Sequence, residues 1–318
     1  MEAAAPTSSR AVVRRAGGGG GAVRAGGSSA APGGAALLWR MPPQLLFVAG
    51  ALTQYVGAGL AVLLFERVPV IGVAWLRVAA AAAVMALWAR PWRLGGGRRW
   101  TAAQLRLAVA FGIALAGMNA CFYLAIDRLP LGTAVALEFA GPIAVTALGS
   151  RTRRDALALA AAACGVLLLA DVHVAGSPAG VALALAAGAL WAGYVVLGHR
   201  VAAEEALGAS RKGLAAAMIA GAIALAPVGA PASIDALLSP ALLLACVGVG
   251  LASSVVPYAL DQIAMARLPR ARFALLLALL PASATVAGLI VLQQVPSAAE
   301  GVGIALVVCA TALNSHAD

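Results

Sequence analysis

The chain has 318 residues, of which 63% are hydrophobic and only 11% charged. A soluble domain of this size cannot hide that much apolar surface, so the composition excludes one and specifies a polytopic membrane protein. A net charge of +10 would suggest a nucleic-acid partner in a soluble protein, but here the basic residues sit in short loops between apolar runs, as membrane topology requires.

Residues 1–40 are rich in Ala, Gly and Ser, with Arg10, Arg14, Arg15, Arg24 and Arg40. No apolar core of a signal peptide is present. The expectation is a disordered leader, or an upstream start codon, with Met41 opening directly onto the first span. An organelle transit peptide is the alternative.

Ten apolar spans follow, at approximately 43–64, 71–89, 105–126, 131–149, 156–171, 179–199, 213–230, 240–262, 271–292 and 298–314. Many are rich in Ala and Gly, which lets helices approach closely in lipid. The expected fold class is an all-α membrane protein of ten transmembrane helices. Of the 22 Lys and Arg residues, 19 fall in the leader and in alternate loops, around Arg90–Arg106, Arg151–Arg154, Arg200–Lys212 and Arg267–Arg272. Arg67 and Arg128 alone lie on the other side, and Arg77 lies inside the second span. This asymmetry predicts cytoplasmic termini.

The chain also repeats itself. Arg128-Leu129-Pro130 leads through an apolar run to Pro142, and Arg267-Leu268-Pro269 leads through another to Pro281. The prolines are spaced identically in the two copies. Ala49-Gly50-Ala51-Leu52 returns as Ala187-Gly188-Ala189-Leu190 at nearly the same offset. Two halves, 41–175 and 176–318, are therefore expected. Five spans per half, an odd number, makes the second half enter the membrane inverted, the plan of many secondary transporters.

Paired Pro-interrupted helices point to a binding site. Pro142 removes the hydrogen bond to the carbonyl of Glu138, an acid deep inside a span. Arg77, Asn119 and Glu138 all lie roughly 10 Å in from the same membrane face, and Tyr123 shares a helix face with Asn119. Either these residues form a site, or Arg77 and Glu138 form a structural ion pair. Asp261, near the cytoplasmic end of its span, follows Tyr258 and Pro257, and Pro257 frees the Ser253 carbonyl. Gln54 and Tyr55 on the first span, with Trp191 and Tyr194 on the sixth, are candidates for the same cavity. The four cysteines lack metal spacing, and no ATP-binding loop or hydrolase signature is present. No metal, cofactor or catalytic residue is expected, and transport would have to draw on a gradient.

The segments Gly117-Met118-Asn119, Phe122-Tyr123, Asp127-Arg128-Leu129-Pro130-Leu131-Gly132-Thr133-Ala134, Glu138 and Gly141-Pro142 resemble the EamA-type branch of the drug/metabolite transporter superfamily. So do Val255-Val256-Pro257-Tyr258, Asp261-Gln262 and Arg267-Leu268-Pro269. The resemblance covers roughly 43–314 and is nearest to the threonine/homoserine exporters. It implies two inverted five-helix repeats, a central cavity and export driven by the proton gradient.

The expected function is export of small amino acids or related metabolites across the inner membrane. Arg77, Asn119, Tyr123, Glu138, Gln54 and Tyr258 would meet substrate. Glu138 or Asp261 would carry the proton, with helix breaks at Pro142, Pro257 and Pro281. In that scheme the substrate carboxylate meets Arg77, and its ammonium meets Glu138 and the carbonyl freed by Pro142. The partners are a small molecule, protons and the bilayer, not nucleic acid. The alternatives are efflux of amphipathic drugs or another metabolite class, and a membrane scaffold or sensor that transports nothing.

Overall fold

The structure, a computed structural model, describes residues 41–93, 99–149, 152–174, 177–203, 211–265, 267–268, 273 and 276–314. The leader and the basic segments containing Arg98, Arg151 and Arg270–Arg272 lie outside the described residues, as does Pro269. The described residues are helical, with no strand among them.

Helix α1 (Pro43–Leu64) opens on prolines, which lack only an amide that a first turn leaves unpaired in any case. Helix α2 (Val70–Ala89) ends where Arg90 turns left-handed at φ 45°. Helix α3 (Ala102–Ile126) starts three residues before the apolar run begins. Its start is set by a reciprocal cap, in which the Gln104 amide donates to Thr101 Oγ1 and the Thr101 amide to Gln104 Oε1.

The fourth span is not one helix. It divides into α4 (Leu131–Glu138) and α5 (Ala140–Gly149), with the turn at Phe139. The amides of Phe139 and Ile143 keep their i−4 bonds to Val135 and Phe139. Residue 142 would have donated to the Glu138 carbonyl, and a proline cannot.

Helices α6 (Arg153–Val174), α7 (Pro178–Ala203) and α8 (Arg211–Gly229) follow. A short 3-10 turn and α9 (Ile234–Leu238), unforeseen in the sequence, then cover the start of α2, where Ser233 Oγ donates to the Gly72 carbonyl at 3.2 Å. Helix α10 (Pro240–Gly250) continues through a π-helical turn, Leu251–Val255, into α11 (Val256–Met265). Helices α12 (Leu280–Leu292) and α13 (Ala298–Asn314) complete the bundle.

The span that carries Pro281 is interrupted as the fourth span is. Pro281 stands in the first turn of α12, after a turn at Ala278–Leu279, because a proline suits a helix start and not its middle.

Helices α1, α2, α3, α7, α8 and the α10–α11 run are long and apolar enough to cross a membrane. The α4–α5 run, α12 and α13 are shorter apolar helices. In the packing, α3 lies on α7 and α8, α2 on α8, and α6 on α13. The α10–α11 run and α12 lie on α1, and α4 contacts α7 and α12. Lipid offers no hydrophobic drive between helices, so small residues that allow close approach carry these crossings. At Gly112, for example, a Cβ would stand only 2.2 Å from the Ala217 carbonyl oxygen of α8.

Candidate functional site

Glu138 is the last residue of α4, at the break, and is 8% exposed. Among the described residues it makes no hydrogen bond or ion pair. A carboxylate held this way inside an apolar bundle is costly unless something that comes and goes, a proton or a cationic group, meets it.

Its backbone carbonyl has a different environment. The α4–α5 break lies against Gly188 of α7, where a Cβ would fall 2.5 Å from Glu138 O. A Cβ on Gly141 would fall 1.8 Å from Gly188 O. The carbonyl freed by Pro142 is thus covered by glycine backbone, with no space for a substrate ammonium.

Arg77, on α2, is 9% exposed and is partnered by the opposite half of the chain. Its Nε donates to Ser254 Oγ at 3.0 Å, and its Nη2 to the Ser253 carbonyl at 3.0 Å. That carbonyl is the one Pro257 leaves without its helical amide. The π-helical turn before Pro257 presents it sideways, and the guanidinium fills the vacancy. The guanidinium also lies 5.0 Å from the centroid of the Tyr123 ring. No ion pair joins Arg77 to Glu138, although their charges are within electrostatic reach of each other. Arg77 thus ties α2 to the π-helical turn of the α10–α11 run.

Tyr123 is completely buried against Phe65 and Phe122, and its hydroxyl has no partner among the described residues. It supports the guanidinium with its ring. Asn119 is buried too, with its Nδ2 donating one hydrogen to Leu115 O of its own helix at 2.8 Å, which leaves its carbonyl oxygen and its second Nδ2 hydrogen uncommitted.

The sequence puts Gln54, and not its neighbour Tyr55, among the residues that would meet substrate; it is Tyr55 that the structure turns inward. Tyr55 is 4% exposed and lies within electrostatic reach of Glu138, Arg77 and Asp261 together. Gln54, about 100° around the helix, is half-exposed. Helix α1 is apolar all round, so no polar stripe in the sequence marks its inward face. Asp261 is half-buried beside Gly50 of α1, whose Cβ position is 3.5 Å from its Oδ1. Tyr258 turns elsewhere, into a second apolar cluster with Met85, Phe111 and Tyr194. The side chain of Gln262 lies outside the described residues. Phe139 meets Trp191 edge-on at 4.8 Å, and Cys121 is within reach of the Glu138 charge. The described residues hold no cluster of His, Cys, Asp or Glu suited to a metal ion.

The site is therefore a buried carboxylate at a helix break, with a tyrosine and an arginine from two other helices, inside a bundle of apolar helices. Intramembrane ionisable groups at a helix break are a feature of membrane transport proteins.

Comparison with known proteins agrees. The EamA-like transporter family matches residues 178–316. The threonine/homoserine exporter RhtA of Salmonella typhimurium (strain LT2) is 38% identical over 75% of this chain and 79% of its own. The exporter of the same name from Escherichia coli (strain K12) is 37% identical over 80% of this chain and 84% of its own. A solved crystal structure at 22% identity covers 85% of this chain and 96% of its own, with a TM-score of 0.52, and shares the fold. The chain belongs to the EamA-like transporter family.

Proposed function

We propose that the chain exports small amino acids of the threonine/homoserine kind across the inner membrane by proton antiport, with Glu138 as the proton carrier. The observation that carries this reading is the Glu138 carboxylate, buried at the α4–α5 break with no hydrogen bond or ion pair among the described residues. A structural acid would be paired. An acid that alternates between proton and substrate ammonium must have neither as a fixed partner.

The substrate ammonium meets Glu138, and Tyr55 stands beside both. Arg77 keeps guanidinium N–H groups beyond the two spent on Ser253 and Ser254, and these would receive the substrate carboxylate. Asn119 contributes its side-chain amide, through the carbonyl oxygen or the second Nδ2 hydrogen. Asp261, half-buried towards the cytoplasmic end, passes the released proton onward. The similarity to exporters named for threonine and homoserine supports the substrate class.

The framework is ten membrane helices in two inverted repeats, 41–175 and 176–318, with both termini cytoplasmic. Reciprocal packing supports it, since α3 lies on α7 as the α10–α11 run lies on α1, while α2–α8 and α6–α13 pair across the halves. The turns at Phe139 and Ala278 occupy matching places before Pro142 and Pro281. The caps of α6 and α13, Thr152 with Asp155 and Ser297 with Glu300, also match.

The test is counterflow in proteoliposomes against a panel of amino acids, followed by export under an imposed pH gradient. Threonine or homoserine should exchange, and Glu138→Gln should insert normally yet lose pH-driven export. Full, still pH-dependent export by Glu138→Gln would assign the proton elsewhere, first to Asp261.

A further inference from the structure

Five residues before Glu138 on the same short helix, α4 is held by the other half of the chain. Its N-cap is Pro130, which offers no side-chain cap. The orphan amide of Leu131 instead donates to Gln294 Oε1, at 2.9 Å, from the α12–α13 connection. Thr133 Oγ1 donates to Glu300 Oε1 at 3.1 Å. Glu300 is 6% exposed and is fixed from behind, since the Ser297 amide donates to its Oε2 at 2.7 Å. Between these two bonds, a Cβ on Gly132 would stand 2.3 Å from Thr285 Oγ1.

A cavity of about 230 Å³ lies beside the bonds, with Thr133, Thr285, Gln294 and Glu300 on its wall. Helix α4 is buried along its whole length, so core packing holds it as well; the two hydrogen bonds are the polar part of that hold, and they lie at the one end that borders an open space. Leu131 and Thr133 together also make α4 a lever, because any tilt at its first turn moves Glu138 at its last.

We infer that Gln294 and Glu300 are positioning residues that latch the outer end of α4 and close the central site to the outer solution. The inference rests on the topology and transport reading above. Cys121, within reach of the Glu138 charge, is a native reporter of access to that site.

The experiment uses the full chain with Cys164, Cys246 and Cys309 replaced by Ala, in intact cells and in inverted vesicles. It measures the rate at which a membrane-impermeant maleimide labels Cys121 from each side. Thr133→Val and Gln294→Leu should each raise labelling from outside by about tenfold, the scale of one hydrogen bond, without raising it from inside. Thr133→Ser, which keeps the hydroxyl, should label at the parent rate. An unchanged outer rate, an equal rise from both sides (general loosening), or a rise in Thr133→Ser would each overturn the latch. If labelling responds as expected but counterflow finds no amino acid exchanged, the latch stands and the transport reading falls.

Discussion

Gly188→Ala tests how tightly the break in the fourth span is built. The added Cβ would stand 2.5 Å from Glu138 O and 3.3 Å from Glu138 Cα. Backbone atoms cannot step aside as a flexible side chain can, and carbon contacts prefer about 3.5–4.0 Å. Helix α7 and the break must therefore separate by roughly 1 Å, at an overpacking cost of about 1–3 kcal/mol. Against this, Ala gains about 1 kcal/mol over Gly in helix propensity. Gly193, on the same helix, provides the control, because a Cβ there meets nothing within 4 Å. Gly193→Ala should be neutral or stabilising by up to about 1 kcal/mol. The two variants should thus differ by about 1–3 kcal/mol, the overpacking cost alone. Thermal unfolding of the purified proteins in detergent reads this difference. Export should fall in Gly188→Ala and not in Gly193→Ala, since the displaced backbone is that of Glu138. Equal melting temperatures and equal export in the two variants would refute the close-packed break and its role in holding Glu138.

Arg77→Lys should destabilise the protein by about 1.5–3 kcal/mol, the worth of a charge-assisted hydrogen bond, because an ammonium cannot reach the Ser253 carbonyl and Ser254 Oγ in the same fork. Ser254→Ala should cost about 1 kcal/mol, since the Ser253 contact remains; unfolding midpoints near the parent's for both would remove the tie between α2 and the π-helical turn. Reporter fusions after Asp127 and after His173 should read external, and those after Arg154 and Arg272 internal; a single reversed site would undo the inverted-repeat proposal. A chain beginning at Met41 should insert and export as the full chain does, measured by membrane content and counterflow.

The sequence by itself determined that this is an all-helical membrane protein, where most helices lie, and that Pro142 leaves the Glu138 carbonyl without its helical amide. Each of these follows from local chemistry. Apolar run length sets the spans, and a missing proline amide sets which carbonyl loses its helical partner. The caps Thr101–Gln104 and Ser297–Glu300 were equally open to a local reading. Tertiary structure alone decided the partners. Helices with apolar residues on every face carry no clear stripe to say which side turns inward, so the sequence pointed to Gln54 where the structure buries Tyr55. The sequence put Arg77 and Glu138 at one depth, and depth does not distinguish an ion pair from two groups with separate partners. Arg77 found the Ser253 carbonyl because Pro257, 180 residues away, had released it. The Glu138 carbonyl, released in the same manner, met Gly188 instead, because two glycines let the backbones close over it. A proline fixes which carbonyl loses its helical partner; only packing fixes what takes that partner's place.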